Sequence, residues 1–545
     1  MSACATAFSK SLAVVREHPG ELQVVDNRRI MSARICLAFA LAAAGINCIT
    51  TTGPSPEPGP HACVDFLSRT DFDVSVMTAE LMNAGTETEY CWVDAMIRPN
   101  IRFGASLPAD WNGRFVMRGG GGYAGQQPVK GRDDPLRDRG YVTASTDTGH
   151  DAARYPLASF AYNNRDGEID YAYRAVHLTA VAVKELIGEH YGRPAAYDYW
   201  LGCSTGGRQG LMSAQRFPED FDGIVAGAPV LDFTNTQIGG VWFSQALREN
   251  PVSLEKIARV GEAIYAACDH LDGLEDGLID DPRQCAFDPR TDYPRCGAED
   301  RVDCLTEGES TALAKIYGGV VSRGEPYFPG QPLGAELGDP LGSAASRTSG
   351  WGRWFVDPGA DAPLLERFGV TFMRYMAFER DDPEWRLEQF DFDEDPYRMD
   401  AIRGILDATD PDLTRFRNAG GKMITYHGWS DTALNPLMAV NYYEDVLAET
   451  PDAADFYRLF MVPGMFHCAG GRGINRVDAF PDLVAWVETG TAPDRLVGER
   501  VGRDDEVLTT RPVCPYPEVA RYDGVGDLDE AASFGCRLPD APAAP

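Results

Sequence analysis

The chain has 545 residues, of which 44% are hydrophobic and 24% charged. This length exceeds what one hydrophobic core usually supports, so we expect a large domain with an insertion, or several domains. Lys and Arg number 50 against 82 Asp and Glu, giving a formal net charge of −32. Such an acidic chain argues against a nucleic-acid partner, because binding to a phosphate backbone needs a basic surface.

The first 44 residues have the pattern of an exported protein. Residues 31–44 place the basic Arg34 before an apolar run with small residues beyond it, as in a secretory signal peptide, and Met31 fits as the start. The run is too short for a stable membrane anchor, and no other stretch resembles a membrane span. We therefore expect residues 1–44 to be removed and the mature protein to be secreted or periplasmic. Cys48 is a weak candidate for lipid attachment.

Three of the thirteen cysteines, Cys4, Cys36 and Cys48, lie in or beside this segment, which leaves ten. An even number in an oxidising compartment predicts disulfides, here five. Zinc binding is disfavoured, because the sequence has no CxxC pair and no adjacent histidine cluster. The ten are Cys63, Cys91, Cys203, Cys268, Cys285, Cys296, Cys304, Cys468, Cys514 and Cys536.

Hydrophobic periodicity predicts strands and helices in alternation over the first half of the chain. The predicted elements are strands at 92–104, 113–118 and 140–150, a helix at 168–191, a strand at 197–203, a helix at 206–216 and a strand at 221–229. Such alternation is typical of an α/β fold with a mostly parallel sheet and helices on both faces.

The alternation stops near residue 233 and resumes at residues 422–431, in "KMITYHGWSD". The intervening sequence is rich in acidic loops and aromatic residues, and we expect it to be irregular. The simplest organisation is an α/β core in two parts, residues 45–232 and 406–545, with a lid domain inserted at 233–405.

A Gly-x-Ser-x-Gly motif stands between the predicted strand "YDYWL" and the helix that follows it. This is the context of a nucleophile elbow, in which a sharp turn exposes a serine at the end of a strand. Ser204 is therefore the predicted nucleophile.

A serine nucleophile needs a base, and the base needs an acid that orients it. In this type of fold the acid and the histidine each follow a later strand. Asp431 follows "KMITYHGW" and is the predicted acid, whereas His467 follows "FYRLFMVPGMF" and is the predicted base. Two other histidines at strand ends, His150 and His427, could help to shape the cleft, although structural roles are commoner at such positions.

Two backbone amides should stabilise the oxyanion that forms during attack. The amide of Thr205 lies next to the nucleophile and is one candidate. The glycine-rich stretch "GGGGYAG" follows a predicted strand, and its Gly121 and Gly122 are candidates for the second. A phosphate-binding loop is disfavoured, because no Lys-Ser/Thr pair follows these glycines.

Cysteines stand beside both predicted catalytic residues. Cys203 precedes Ser204 and Cys468 follows His467. If the serine and histidine are in contact, their neighbours are close enough for a disulfide, which requires Cα atoms within about 7 Å. The Cys-Ser, Asp, His-Cys combination, together with "WNGRFVMRGGGGYAG" and "HGWSDTALNP", resembles the tannase and feruloyl esterase family of α/β hydrolases over about residues 60–540.

This resemblance implies several further properties. The fold would be an α/β-hydrolase core with a large inserted lid domain, and the substrate a small aromatic ester of the feruloyl or galloyl type. The family also implies four more disulfides: Cys63–Cys91, Cys268–Cys285, Cys296–Cys304 and Cys514–Cys536. Thr205 departs from the family pattern, because some members carry an acidic residue there.

The loop "CDHLDGLEDGLIDD" carries repeated aspartates and glycines on a tightly turning segment. Hard cations such as Ca²⁺ prefer several oxygen ligands on such loops. The loop lacks the spacing of an EF-hand but resembles the calcium loop of the same family, which implies a structural Ca²⁺. The implied ligands are the carboxylates of Asp269, Asp272 and Asp276 and the carbonyls of Leu274 and Leu278.

Two alternatives to an aromatic-acyl esterase stay open. The family includes hydrolases of hydroxyethyl terephthalate monoesters, whose free carboxylate would need a cation such as Arg353, Arg367 or Arg374. A binding protein for plant phenolics without catalytic activity would also use this fold, but the complete set of predicted catalytic residues disfavours it.

Overall fold

The computed structural model describes residues 62–69, 73–342 and 350–539. The predicted signal peptide and Cys48 lie outside these residues. The strands of the described part are β1 Val74–Met82, β2 Tyr90–Ile97, β3 Ile101–Pro108, β4 Arg114–Arg118, β5 Val142–Thr146, β6 Tyr197–Cys203, β7 Gly223–Gly227, β8 Val320–Ser322, β9 Glu325–Phe328, β10 Lys422–Gly428, β11 Tyr457–Val462, β12 Arg476–Val477, β13 Leu496–Val501, β14 Val507–Val513, β15 Val519–Tyr522 and β16 Phe534–Arg537.

The α-helices of the same residues are α1 Arg165–Ile169, α2 Ala175–Tyr191, α3 Thr205–Arg216, α4 Phe233–Glu249, α5 Leu254–Cys268, α6 Glu307–Gly318, α7 Leu364–Tyr375, α8 Asp400–Leu406, α9 Thr414–Asn418, α10 Leu437–Glu449 and α11 Phe480–Thr489. A π-helical turn, Asp170–Arg174, joins α1 to α2. Short 3₁₀ turns occupy several of the connections. None of the described helices is long and apolar enough to cross a membrane.

Nine strands form one mixed sheet in the order β1-β2-β3-β5-β4-β6-β7-β10-β11. The first three strands pair antiparallel, and β3 is also antiparallel to β5. From β5 to β11 every neighbouring pair is parallel. A mostly parallel sheet that packs against helices is the architecture of an α/β hydrolase.

Both faces of the parallel part are covered, as β6 illustrates. Trp200 packs in the same apolar cluster as Leu186 of α2, whereas its neighbour Tyr199 packs in another cluster with Leu483 of α11. Successive side chains of a strand point to opposite faces, so the two clusters lie on the two sides of the sheet.

The start of the sheet differs from the sequence prediction. The single strand predicted at 92–104 is a hairpin, because a turn at 98–100 divides it into β2 and β3. The sequence also gives no signal for β1. This strand pairs with β2 through a register shift between Val76 and Thr78, and that bulge interrupts the alternation of buried and exposed residues on which the prediction depends.

The expectation of an irregular insertion is right only in part, because residues 269–306 and 376–399 have no α-helix or strand but regular elements occupy other parts. Helices α4 to α8 lie between β7 and β10, with the small β8–β9 hairpin among them. Helices α5 and α7 bury residues three and four apart, so their helical pattern is present in the sequence. Helix α4 is harder to detect, because 12 of its 17 residues are buried and little of its surface is exposed. Its Gly239 and Gly240 suit close packing, since an added Cβ would meet Phe328 at 3.0 Å and Leu365 at 3.2 Å.

The predicted site residues collect at one edge of the sheet. The glycine-rich stretch follows β4, Ser204 follows β6, Asp431 follows β10 and His467 follows β11. These four strands are parallel, so their carboxyl ends lie at the same edge, where ligands bind in open α/β sheets.

Candidate active site

Ser204 occupies a sharp turn between β6 and α3. Its backbone φ of 63° and ψ of −123° lie in a region that side chains other than glycine rarely adopt. The flanking glycines permit the turn: an added Cβ on Gly202 would lie 2.6 Å from the backbone of Gly206. The strained serine with glycines two residues to either side has the form of a nucleophile elbow.

Asp431 and His467 form a direct hydrogen bond. His467 Nδ1 lies 2.8 Å from Asp431 Oδ2. The carboxylate of Asp431 is fully buried, whereas the His467 side chain retains 15% exposure. Asp431 Oδ1 accepts the backbone N–H groups of Ala433 at 2.8 Å and Leu434 at 2.9 Å. The imidazole is thus held by Nδ1, which leaves Nε2 for proton transfer.

The surroundings of Asp431 keep its side chain ionised. Burial acts to raise the pKa of Asp431, but the charge of His467 and the hydrogen bonds from His427 and His467 outweigh burial and hold that pKa well below its usual range. A carboxylate with this many donors can stabilise a positive charge on His467 without taking its proton.

A disulfide joins Cys203 to Cys468 across 265 residues, with the two Cα atoms 6.1 Å apart. It brings the turn of Ser204 and the loop of His467 together. No hydrogen bond joins Ser204 to His467 in the described part of the chain; in free enzymes such contacts are often loose and tighten when substrate binds. The other bridges are Cys63–Cys91, Cys268–Cys285, Cys296–Cys304 and Cys514–Cys536, the pairings that the resemblance implies.

The candidate oxyanion donors lie on two elements that are linked by side chains. Thr205 is the first residue of α3, and its hydroxyl donates to the carbonyl of Gly122 at 2.5 Å. The hydroxyl of Tyr171, in the π-helical turn, donates to the same carbonyl at 3.0 Å. Gly122 has a φ of +58°, and an added Cβ on Gly121 would meet nothing within 4 Å. The glycine stretch is thus fixed to α3, with open space beside Gly121.

Aromatic side chains from the insertion stand beside these groups. The ring centroid of Trp354 lies 5.6 Å from that of His467, and Phe368 stacks on Tyr123 at 5.1 Å. An added Cβ on Gly122 would lie 3.2 Å from Phe368. Phe368 and Tyr171 were not predicted from the sequence, because no local pattern places them near Ser204 or His467.

The three arginines considered for a substrate carboxylate have different surroundings. Arg353 precedes Trp354, is exposed, and forms no ion pair among the described residues. Arg367 is also exposed. Arg374 is half-buried, and its Nε donates to the carbonyl of Trp385 at 2.9 Å. Arg353 and Arg367 thus each precede an aromatic residue of the candidate site, Trp354 and Phe368.

The acidic loop lies after α5, away from the triad in sequence. Asp269 Oδ1 accepts the N–H groups of Gly277 and Leu278, and Asp272 Oδ1 accepts the N–H of Leu274 at 2.9 Å. Burial raises the pKa of Asp272 to about 6, and the nearby charge of Asp276 adds to this effect. Several carboxylates therefore share one loop without enough positive charge to neutralise them.

The donor set of this loop has the chemistry that Ca²⁺ prefers, with aspartate oxygens and backbone carbonyls on tight turns. One carboxylate, that of Asp276, also lies 3.2 Å from Arg511 of β14. Within the described ranges no three His, Cys, Asp or Glu side chains are arranged as a metal site. Binding of Ca²⁺ in this loop stays a prediction.

Comparisons with known proteins agree with this geometry. The chain is 36% identical over 494 residues to mono(2-hydroxyethyl) terephthalate hydrolase of Piscinibacter sakaiensis, covering 81% of this chain and 82% of that protein. It is 31% identical over 466 residues to feruloyl esterase B of Aspergillus niger, covering 79% and 83%. The crystal structure of feruloyl esterase B from Aspergillus oryzae has a TM-score of 0.75 at 28% identity, covering 87% of this chain and 99% of that one.

The family model for tannase and feruloyl esterase matches residues 87–537, a range that contains β6, β10 and β11 with the residues that follow them. The match covers most of the chain, and the relatives above cover more than two thirds of it at over 30% identity. The chain therefore belongs to the tannase and feruloyl esterase family and is a carboxylic ester hydrolase with the α/β-hydrolase fold.

Proposed function

We propose that this protein is an exported serine esterase that hydrolyses esters of aromatic carboxylic acids, of the feruloyl or galloyl type. One arrangement supports this function above all others. The Asp431–His467 pair is tied to the Ser204 turn by the Cys203–Cys468 bridge, with aromatic rings beside it. The five disulfides also fit an oxidising compartment, secreted or periplasmic.

The reaction proceeds through an acyl-enzyme. Ser204 Oγ attacks the ester carbonyl while His467 Nε2 takes the hydroxyl proton, and Asp431 holds the imidazolium that forms. The amides of Thr205 and of Gly121 or Gly122 stabilise the negative charge on the carbonyl oxygen. His467 then gives its proton to the leaving alcohol. Water attacks the acyl group with His467 as base, and the free acid leaves.

The surroundings of His467 favour a flat acyl group. Trp354 and Phe368 present ring surfaces between the base and the glycine stretch, and Tyr123 extends this wall behind Phe368. Aromatic rings pair well in stacked or edge-to-face arrangements. An aromatic acyl group would gain from these contacts, whereas a short aliphatic acyl group would leave the rings without a partner.

A second candidate substrate is a hydroxyethyl terephthalate monoester. Such an ester carries a free carboxylate, and the exposed Arg353 beside Trp354 could pair with it without losing an existing ion pair. A relative at 36% identity is named as a hydrolase of this ester. Substitution of Arg353 by alanine would then reduce kcat/KM for the monoester and leave methyl ferulate unaffected.

One panel of substrates tests these functions. We would measure kcat/KM for methyl ferulate, methyl gallate, the terephthalate monoester and methyl butyrate at one pH. Preference for ferulate or gallate over butyrate is expected. A preference for butyrate would contradict the aromatic-acyl proposal, and a preference for the monoester that Arg353→Ala abolishes would support the second candidate. Affinity without turnover would indicate a binding protein.

We further propose that the acidic loop binds a structural Ca²⁺. The carboxylates of Asp269, Asp272 and Asp276 and the carbonyls of Leu274 and Leu278 would hold the ion. Its charge would compensate the clustered aspartates and fix the loop that the Cys268–Cys285 bridge closes. Isothermal titration with Ca²⁺ would test this, and no binding to the calcium-stripped enzyme would contradict it.

A further inference from the structure

His427 is a fully buried histidine close to the catalytic acid, and the reaction described above gives it no role. It lies on β10, four residues before Asp431, and its side chain has no exposed surface. A histidine in such a place either fills space in the core or acts on its neighbours through its ring nitrogens.

The contacts of the ring separate these alternatives. His427 Nε2 lies 3.2 Å from Asp431 Oδ2 and 3.3 Å from the carbonyl oxygen of Leu434. Both neighbours are acceptors, so Nε2 must carry a hydrogen. The other nitrogen, Nδ1, is buried without a hydrogen-bond partner in the described part of the chain. The polar contacts of the ring are therefore all made by Nε2, and one of them is with the catalytic acid.

Asp431 receives donors on both of its oxygens. Oδ1 takes two backbone N–H groups from the turn that follows, those of Ala433 and Leu434. Oδ2 takes His467 Nδ1 at 2.8 Å and His427 Nε2 at 3.2 Å. Among the described residues, these two histidines are the titratable side chains that contact the carboxylate. His427 is thus a second side-chain donor at the oxygen that orients the base, and it shares its one hydrogen between Asp431 Oδ2 and the carbonyl of Leu434.

We propose that His427 is a positioning residue of the catalytic centre: its Nε2–H fixes Asp431 Oδ2 toward His467 and shares the negative charge of that oxygen. The inference depends on the proposed function, because it concerns how Asp431 serves His467. A fixed Oδ2 keeps the imidazole in the tautomer that leaves Nε2 available to Ser204.

Charge sharing has a consequence for the pH dependence of activity. Without the His427 hydrogen, the charge on Oδ2 would be less compensated and would stabilise the imidazolium form of His467 more strongly. The proton would then leave His467 only at higher pH. The acid limb of the kcat/KM profile is therefore expected to move to higher pH when the donor is removed, an effect that a space-filling residue would not have.

Two amide variants provide the test. In His427→Gln the amide nitrogen can occupy the place of Nε2, whereas in His427→Asn the shorter side chain reaches only as far as Nδ1. We expect the Asn variant to lose about 10- to 100-fold in kcat, as for loss of one hydrogen bond to a charged group, with KM little changed. Its acid limb should move to higher pH. The Gln variant should keep most of the wild-type kcat and its pH profile.

Two outcomes would overturn the positioning role. One is an Asn variant with wild-type kcat and acid limb, and the other is equal loss in the Asn and Gln variants at matched melting temperatures. If the Asn variant does not fold, His427→Leu, which fills similar volume without a donor, takes its place with the same expectations. Both variants are measured on an ester that the wild type hydrolyses and Ser204→Ala does not, so failure of the proposed function would be seen separately.

Discussion

Two regions of this molecule contain aspartates whose pKa values are shifted in opposite directions by their surroundings. At the catalytic edge, Asp431 is fully buried, yet the charge of His467 and the hydrogen bonds from His427 and His467 hold its pKa well below the usual range. In the acidic loop, Asp280 is near Asp272 and Asp276, and burial together with their charges raises its pKa to about 7.

The comparison shows that burial alone does not decide how a carboxylate behaves. The hydrogen bonds and positive charges around a buried carboxylate decide whether its pKa is lowered or raised. In the first region, side chains of the protein itself compensate the negative charge of Asp431. The second has an excess of negative charge that Arg511 and Arg521 only partly offset, which is why we expect it to require a cation and the catalytic edge to require none.

The largest effect is expected from the nucleophile. Ser204→Ala removes the atom that attacks the ester, and kcat should fall by about 10⁴- to 10⁶-fold. Steady-state hydrolysis of the best ester on the panel measures this. Ser213→Ala, which loses only a bond to its own helix carbonyl, is the control and should keep wild-type activity. Activity retained by Ser204→Ala would contradict the mechanism.

Replacing one aspartate by asparagine in each region should show that Asp431 serves catalysis and Asp272 serves stability. Asp431→Asn should lower kcat by about 10³- to 10⁴-fold, because the amide no longer holds His467 in the right tautomer. Asp272→Asn should leave kcat nearly unchanged at 25 °C and lower the melting temperature in calcium. Kinetics and thermal melts on both variants measure this. A larger kcat loss in Asp272→Asn than in Asp431→Asn would reverse the comparison.

Removal of the active-site bridge should affect both activity and stability. The Cys203→Ser/Cys468→Ser variant should lose about 2–4 kcal/mol of unfolding free energy and show a lower kcat, because the serine and histidine loops are no longer joined. Cys514→Ser/Cys536→Ser removes a bridge between the end of β14 and β16, which both lie outside the nine-stranded sheet, and should lower stability alone. Equal kcat losses in the two variants would show that the Cys203–Cys468 bridge has no special part in the site.

Chelation is expected to act on the acidic loop alone, if that loop holds the proposed Ca²⁺. EGTA should lower the melting temperature by a few degrees, since a ligand at about 100 times its Kd stabilises the folded state by about 2.7 kcal/mol. Added Ca²⁺ should restore it, and Asp272→Asn should show little response to either. A melting temperature that EGTA leaves unchanged in the wild type would remove the case for calcium.

The smallest effect on kcat is expected from the hydrogen bonds that join the glycine-rich stretch to its neighbours. Tyr171→Phe removes one of two hydroxyl donors to the carbonyl of Gly122, so kcat should fall only about 3- to 10-fold. Tyr191→Phe, whose hydroxyl bonds the remote carbonyl of Pro108, is the matched control. Equal kcat values in the two variants would mean that Thr205 alone holds the glycine stretch.

Much of the site could be predicted from the sequence because short motifs carry its chemistry. Ser204 is marked by glycines that its turn requires, and Asp431 and His467 by their places after later strands. The cysteines beside Ser204 and His467 supplied a distance constraint, which the bridge in the structure meets with Cα atoms 6.1 Å apart.

The parts that the sequence did not predict depend on contacts between distant segments. Phe368 comes 164 positions after Ser204, and its place near Gly122 follows from the packing of α7 against α4. Tyr171 reaches the same glycine from a π-helical turn that has no sequence signature. Helix α4 escaped detection because burial on most sides narrows the polar stripe that periodicity detects. Helices α5 and α7 bury one face only, so their helical pattern is present in the sequence and could have been predicted from it.

The long bridge also bears on how the protein matures. The other four bridges join cysteines that are consecutive along the chain and 8 to 28 residues apart. Cys203 instead pairs with Cys468, and the Cys268–Cys285 and Cys296–Cys304 pairs lie between them in the sequence. An oxidase that joined thiols in order of their emergence would link Cys203 to Cys268. Production of active enzyme is therefore expected to depend on a disulfide isomerase, and a host that lacks one should yield oxidised protein with the nucleophile and the base apart.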